Sequence, residues 1–176
     1  PFFKDYFQSK SQQDFFAKAN KFKLLLAQKS GIFSTETFNA LLEEIFLDNG
    51  LILDTRFYSG KQIIINKNNY NLNLYNGDIG IMFLDSDNDY KVYFEIEDQI
   101  IGYKLSYLDY YDLSYAITVH KSQGSEFDHV AFILPEVDHP LLTRKLLYTA
   151  VTRAKQKLSI WGNRNVISCS IAKNAN

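Results

Sequence analysis

The sequence predicts an α/β protein: a mainly parallel sheet flanked by helices, with a small β-rich segment inserted into it. Three observations carry that expectation. Apolar runs of strand length alternate with stretches of helical periodicity, the pattern of βαβ units. The run 77–111 interrupts this rhythm with closely spaced short strands around polar tips. After it, the strand–helix–strand order resumes. With 46% hydrophobic and 22% charged residues among 176, the composition is that of an ordinary globular chain. At this size it buries roughly two thirds of its unfolded surface and needs no covalent or metal staples.

Each element has a local reason. Residues 1–20 carry Phe2, Phe3, Phe7, Phe15 and Phe16 among lysines and glutamines, which predicts a packed helical piece. "KFKLLLAQ" (21–28) has the length of a strand. Ser34 or Thr35 then stands ready to cap a helix over 35–48, where Phe38, Leu41, Leu42, Ile45 and Phe46 recur at helical spacing as far as Asn49-Gly50. "KQIIIN" (61–66) is β-branched, and Asn68, Asn69 and Asn71 behind it are turn formers. Two strand-like runs flank the polar tip "DSDND" (85–89). "SYAITV", "HVAFIL" and "KLSIW" read as strands, "HKSQGSEF" as a loop or single helical turn, and 141–154 as a helix.

Nineteen basic and twenty acidic residues give a net charge of -1, so bulk charge argues neither for nor against a nucleic-acid partner. A phosphate site must come from local clustering. No run approaches the ~20 apolar residues of a membrane span, and no signal segment opens the chain, so no membrane association is expected. The lone cysteine, Cys169, is expected to be a small, partly buried side chain in a reducing, cytoplasmic setting. The first residue is Pro1, and the chain is expected to be a fragment of a longer protein.

Two stretches concentrate chemistry. "HKSQGSE" (120–126) follows an apolar strand, and ligands of open α/β sheets bind outside the carboxyl ends of strands. Gly124 permits close backbone approach, His120, Lys121, Ser122 and Gln123 supply donors, and Glu126 can accept from a hydroxyl. In the helix 141–154, Leu142, Leu146 and Ala150 form one stripe that Arg153 continues. A guanidinium there needs an anion or several acceptors: either it completes the helix C-terminus structurally or it is directed at a phosphate.

"AITVHKSQGSEFDHV" together with "LLYTAVTRAKQKLSIWG" resembles motifs V and VI of the superfamily 1 helicases, in wording closest to the RecD family, the alpha subunits of exodeoxyribonuclease V. "LLLAQKSGIFSTETFNALL" resembles the motif IV region of that family, and "QIIINKNNYNLNLYNGDIG" the segment before its small inserted domain. The resemblance spans about residues 21–162. It implies a RecA-like second motor domain, 2A, over 1–76 and 112–176, carrying an SH3-like insertion, 2B, over 77–111. It further implies ATP-dependent 5′-to-3′ DNA unwinding beside RecB-like and RecC-like subunits, in double-strand break repair and recombination, with the exonuclease centre in another subunit.

By that resemblance Arg153 contacts the γ-phosphate of ATP, Gly124 and Glu126 lie beside the nucleotide, and Lys29 takes the place of a motif IV arginine. Thr118, His120, Lys121 and Ser122 face single-stranded DNA. No G-x-x-x-x-G-K-[ST] stretch and no acidic Walker B strand occur in the chain. The phosphate cradle and the Mg²⁺ ligands are therefore expected from a preceding domain, and this chain alone is expected not to hydrolyse ATP. Two other readings of the same residues are a non-catalytic single-strand-binding or protein-docking module and a motor acting on RNA.

Other signals are weaker. Asp85, Asp87 and Asp89 are spaced like the start of a calcium loop, but Tyr90 and Ile96 occupy the positions that need glycine and glutamate, so a hairpin tip is expected. His129 and His139 have no cysteine partner for a zinc site. Tyr103, Tyr107, Tyr110 and Tyr111 are either strand residues or base-stacking surfaces.

Overall fold

The computed structural model describes residues 2–97 and 99–173. By compactness the chain falls into two units, residues up to Ala19 with Leu41–Tyr115, and Asn20–Ala40 with the residues from Ala116 onward.

The first unit opens with α1 (Phe2–Tyr6) and α2 (Gln12–Ala19). It ends in an open antiparallel sheet of β2 (Gln62–Ile65), β3 (Ile79–Leu84), β4 (Tyr90–Ile96), β5 (Gln99–Lys104) and β6 (Tyr111–Leu113), in the order β5-β4-β3-β2-β6. The segment 77–111 thus supplies β3, β4 and β5, and these pair onward to β2 and β6 in one ladder. Asp85–Asp89 is the tip of the β3–β4 hairpin. There Asp85 Oδ1 accepts from the amides of Asp87 and Asp89.

Aromatics make the core of this unit, those of α1 and α2 packing against others from later in the chain. Tyr6, Phe15, Phe16, Phe46, Tyr58 and Tyr115 are all buried in one cluster with Ile81. Gly60 lies against it with φ +93°, and a Cβ there would meet the Phe15 ring at 2.6 Å. Its carbonyl accepts from the Tyr6 hydroxyl at 2.8 Å. The Tyr115 hydroxyl lies 2.9 Å from Tyr58 Oη and 3.0 Å from the same carbonyl, and Tyr58 donates to Glu43 at 2.6 Å. Burial pushes all three phenols far above their ordinary range, so they act only as neutral donors and acceptors.

The second unit is a four-stranded parallel sheet of β1 (Phe22–Leu26), β7 (Ala116–Thr118), β8 (Phe127–Ile133) and β9 (Ala154–Trp161), ordered β7-β1-β8-β9. Its helices are α4 (Arg144–Val151) and α5 (Arg164–Ala172). α3 (Thr35–Asp48) covers the helix expected at 35–48, begun by Ser34, whose Oγ accepts from the Thr37 amide.

Three expectations change. α4 begins at Arg144 because Thr143 caps it, accepting from Leu146 N, and it ends at Val151. Arg153 and Ala154, expected to end the helix, instead form the turn and the first residue of β9, which pairs from Ala154 with Phe127. α5 had no counterpart in the sequence reading, and it carries Cys169, which is exposed and not partly buried. Among the described residues no helix is long and apolar enough to cross a membrane.

Candidate nucleotide and nucleic-acid site

Strand register decides where the polar stretch lies. Thr118 is level with Leu26, and Leu26 with Ile133, so β7 ends at the carboxyl rim of the sheet. Phe22 is level with His129, so β8 starts two residues earlier, at the amino rim. Residues 119–126 therefore run from one rim to the other. About six residue levels at 3.3 Å each put their ends roughly 20 Å apart.

The connection is coiled. Ser122 N donates to the carbonyl of Thr118, Gln123 N to His120 and Ser125 N to Ser122. Thr118 Oγ1 accepts from Lys121 N, and the Ser122 hydroxyl donates to the Val119 carbonyl at 2.7 Å. Gly124 has φ +85° and is exposed, with open space where a Cβ would stand. Only glycine takes that backbone without strain.

At the amino rim the connection meets the turn after α4. Arg153 donates through Nη1 to the Ser125 carbonyl at 2.9 Å, through Nε to Thr149 O at 3.3 Å, and through Nη2 to Thr152 Oγ1 at 3.2 Å. Its own carbonyl accepts from Phe127 N at 2.8 Å. The guanidinium thus closes the C-terminus of α4 and clamps the polar connection. It is half-buried and keeps further N–H groups that can face an anion. Glu126, next to Ser125 in sequence, is exposed and lies 3.9 Å from Lys155 Nζ, a pair that contributes little.

The structure brings Gly124, Glu126 and Arg153 to the amino rim. Thr118, His120 and Lys121 start the connection at the carboxyl rim, where His120 is exposed and Thr118 and Lys121 are half-buried. Lys29 follows β1 and so lies beyond the carboxyl rim, exposed, at the opposite end of the sheet from Arg153. The expected grouping of Lys29 with Arg153 is not what the register gives, because all four strands are parallel. Ser122 is fully buried, so its side chain holds the turn and does not face the surface. The carboxyl-rim rule likewise covers only His120 and Lys121.

Two buried polar side chains escaped the sequence reading. Asn39, 3% exposed on α3, donates to the Ala116 carbonyl at 2.9 Å and accepts from the Ala116 amide at 2.8 Å. Its side chain thereby acts as one residue of an extra strand against β7. Its signal was an asparagine in step with Leu42 and Phe46, at a position where apolar residues were being counted. Lys23, 1% exposed, sets its Nζ 5.5 Å from the centre of the Phe127 ring. The ring favours the cation, but burial outweighs it and pushes the amine down to about 7.

The class to which the chain belongs is that of the superfamily 1 helicases. The family model for the UvrD-like helicase C-terminal domain matches residues 113–161, from the end of β6 to the end of β9. The solved structure of Pif1 helicase from Bacteroides in complex with ADP-AlF3 and ssDNA shares the fold. Its TM-score is 0.52 at 18% identity, covering 98% of this chain and 46% of that one.

The chain belongs to the RecD family. It is 33% identical over 180 residues to the RecBCD enzyme subunit RecD of Buchnera aphidicola subsp. Schizaphis graminum, covering 98% of this chain and 30% of that protein. It is 36% identical over 121 residues to RecD of Mycobacterium tuberculosis, covering 69% of this chain and 21% of that protein. It therefore spans less than a third of the length of these curated relatives.

Proposed function

We propose that this chain is the C-terminal motor lobe, 2A, of an ATP-dependent 5′-to-3′ DNA helicase of RecD type. The helicase acts with RecB-like and RecC-like subunits on double-strand breaks, for repair and recombination. One observation carries the reading: a single connection, 119–126, joins the turn that holds Arg153 at one rim to Thr118, His120 and Lys121 at the other. Such a connection suits a machine in which nucleotide at one end changes the grip on a strand at the other. The segment 77–111 is the 2B insertion, of SH3-like kind, and its support is the meander of short strands β3–β5.

Arg153 faces the γ-phosphate, where a guanidinium stabilises charge on the transferring phosphoryl group. Gly124 offers its main chain to the phosphates without a side chain in the way, and Glu126 accepts from the sugar. Lys29 sits with the DNA residues at the carboxyl rim. ATP supplies the free energy of the cycle, and Mg²⁺ neutralises its phosphates. With no G-x-x-x-x-G-K-[ST] stretch in the chain, the reading assigns the phosphate cradle and the ligands for Mg²⁺ to another lobe of the full-length protein. The 176-residue chain alone does not turn over ATP.

Arg153→Ala in the full-length protein tests the reading. ATP turnover stimulated by single-stranded DNA falls by about 10³-fold or more, while DNA affinity without nucleotide is kept. Unchanged turnover would remove Arg153 from the chemistry and favour a non-catalytic DNA-binding module. Stimulation by RNA as strong as by DNA would shift the substrate class.

A further inference from the structure

The carboxyl rim of the parallel sheet holds a recess of about 600 Å³, lined by Phe33, Ile133, Leu134, Val137 and Trp161, with Asn163 and Glu136 at its polar edge. We propose that this recess receives a nucleobase of the bound single strand, with Trp161 and Phe33 as its stacking surfaces. The proposal deepens the motor-lobe reading and rests on it.

The recess follows from how β8 and β9 end. They stop level with one another at Ile133 and Trp161, and Leu134 N donates to the Trp161 carbonyl at 2.8 Å. Gly162 then turns the chain with φ +154°, and a Cβ there would come within 2.6 Å of Leu134 Cβ, so the turn hugs β8 only as glycine. Asn163 starts α5 at once, accepting from Asn165 N. Trp161 is left 66% exposed and Val137 73%.

Position and charge select the occupant. Thr118, His120 and Lys121 leave β7 on this same rim, and Lys29 and Phe33 follow β1 there. From β7 to β9 is three strand spacings, roughly 14 Å. A strand lying along the rim passes its backbone by Lys121 and Lys29 and reaches Trp161 with a base. The recess carries no cation in its lining, only Glu136, which repels a phosphate but can accept from an amino group on a base edge. A flat ring with apolar faces and a polar edge matches apolar aromatic walls closed by Asn163 and Glu136, and stacking of this kind tolerates every base.

The test uses the full-length protein and a fluorescent thymidine oligonucleotide, with binding measured across a salt series. Trp161→Ala weakens binding roughly 5- to 100-fold with the salt slope unchanged, and Trp161→Phe restores most of the loss. An oligonucleotide of abasic residues binds the unaltered protein about as weakly as thymidine binds Trp161→Ala, and the variant no longer distinguishes the two. Lys121→Ala, in contrast, lowers the salt slope by about one. If Trp161→Ala binds thymidine normally, or loses as much on the abasic strand, the base pocket is wrong. Should Lys121→Ala still behave as stated, the DNA-binding reading survives that failure. If neither variant changes binding, both fall.

Discussion

Asn39→Ala puts the support of the polar connection to a direct test. Asn39 satisfies both main-chain groups of Ala116 at 2.8 and 2.9 Å, and Ala116 is 1% exposed. Truncation leaves a buried N–H and a buried C=O without that partner, and an unsatisfied buried polar group costs about 1–3 kcal/mol. Allowing for partial entry of water, the loss is about 2–4 kcal/mol. The chain has one tryptophan, Trp161, and it lies in the same unit. Urea unfolding followed by its fluorescence therefore reports on the parallel sheet. Asn39→Asp keeps the acceptor but sets a carboxylate against the Ala116 carbonyl, so it costs at least as much as alanine. A loss below 1 kcal/mol for both variants would refute the idea that Asn39 stands in for a strand residue.

Lys23 makes stability depend on pH. Its amine titrates near 7 when folded and near 10.5 when unfolded, so between these values the unfolded chain binds the extra proton and stability rises with pH. The span is on the order of a few kcal/mol, complete above pH ~10.5 and absent below pH ~7. Lys23→Met flattens this rise, and parallel urea midpoints for both proteins from pH 7 to 9.5 would contradict it. Tyr115→Phe removes the hydroxyl that links Tyr58 and Gly60. It costs about 1–2 kcal/mol of thermal stability in the antiparallel unit, and an unchanged melting temperature would show that the hydroxyl is dispensable.

What the sequence made legible was local. α3 lies where its capping residue and periodicity put it, because Ser34, Phe46 and Gly50 act within their own turns. The motif residues were legible because they come as two unbroken stretches. What escaped depends on partners far away in sequence. Arg153 and Ala154 have helical propensity, yet pairing of Ala154 with Phe127 draws the chain into β9. "KQIIIN" reads as a strand whichever sheet takes it, and only β3 and β6 settle its place. The separation of Lys29 from Arg153 is a matter of strand direction and register, which no spacing within one stretch encodes. Asn39 was hidden because its value lies in the main-chain groups of Ala116, 77 residues on.

The coiling of 119–126 has a mechanical side. Nine peptide steps from Thr118 to Phe127 could reach about 30 Å if extended, against the roughly 20 Å they span. About a third of the length is stored in turns, and a tether with that much slack would swallow a displacement at one end before the other felt it. The buried Ser122 hydroxyl on the Val119 carbonyl and the Arg153 clamp on Ser125 take up that slack at either end. If the connection couples nucleotide to strand as proposed, these bonds let it transmit a push, where an uncoiled loop could only be pulled taut.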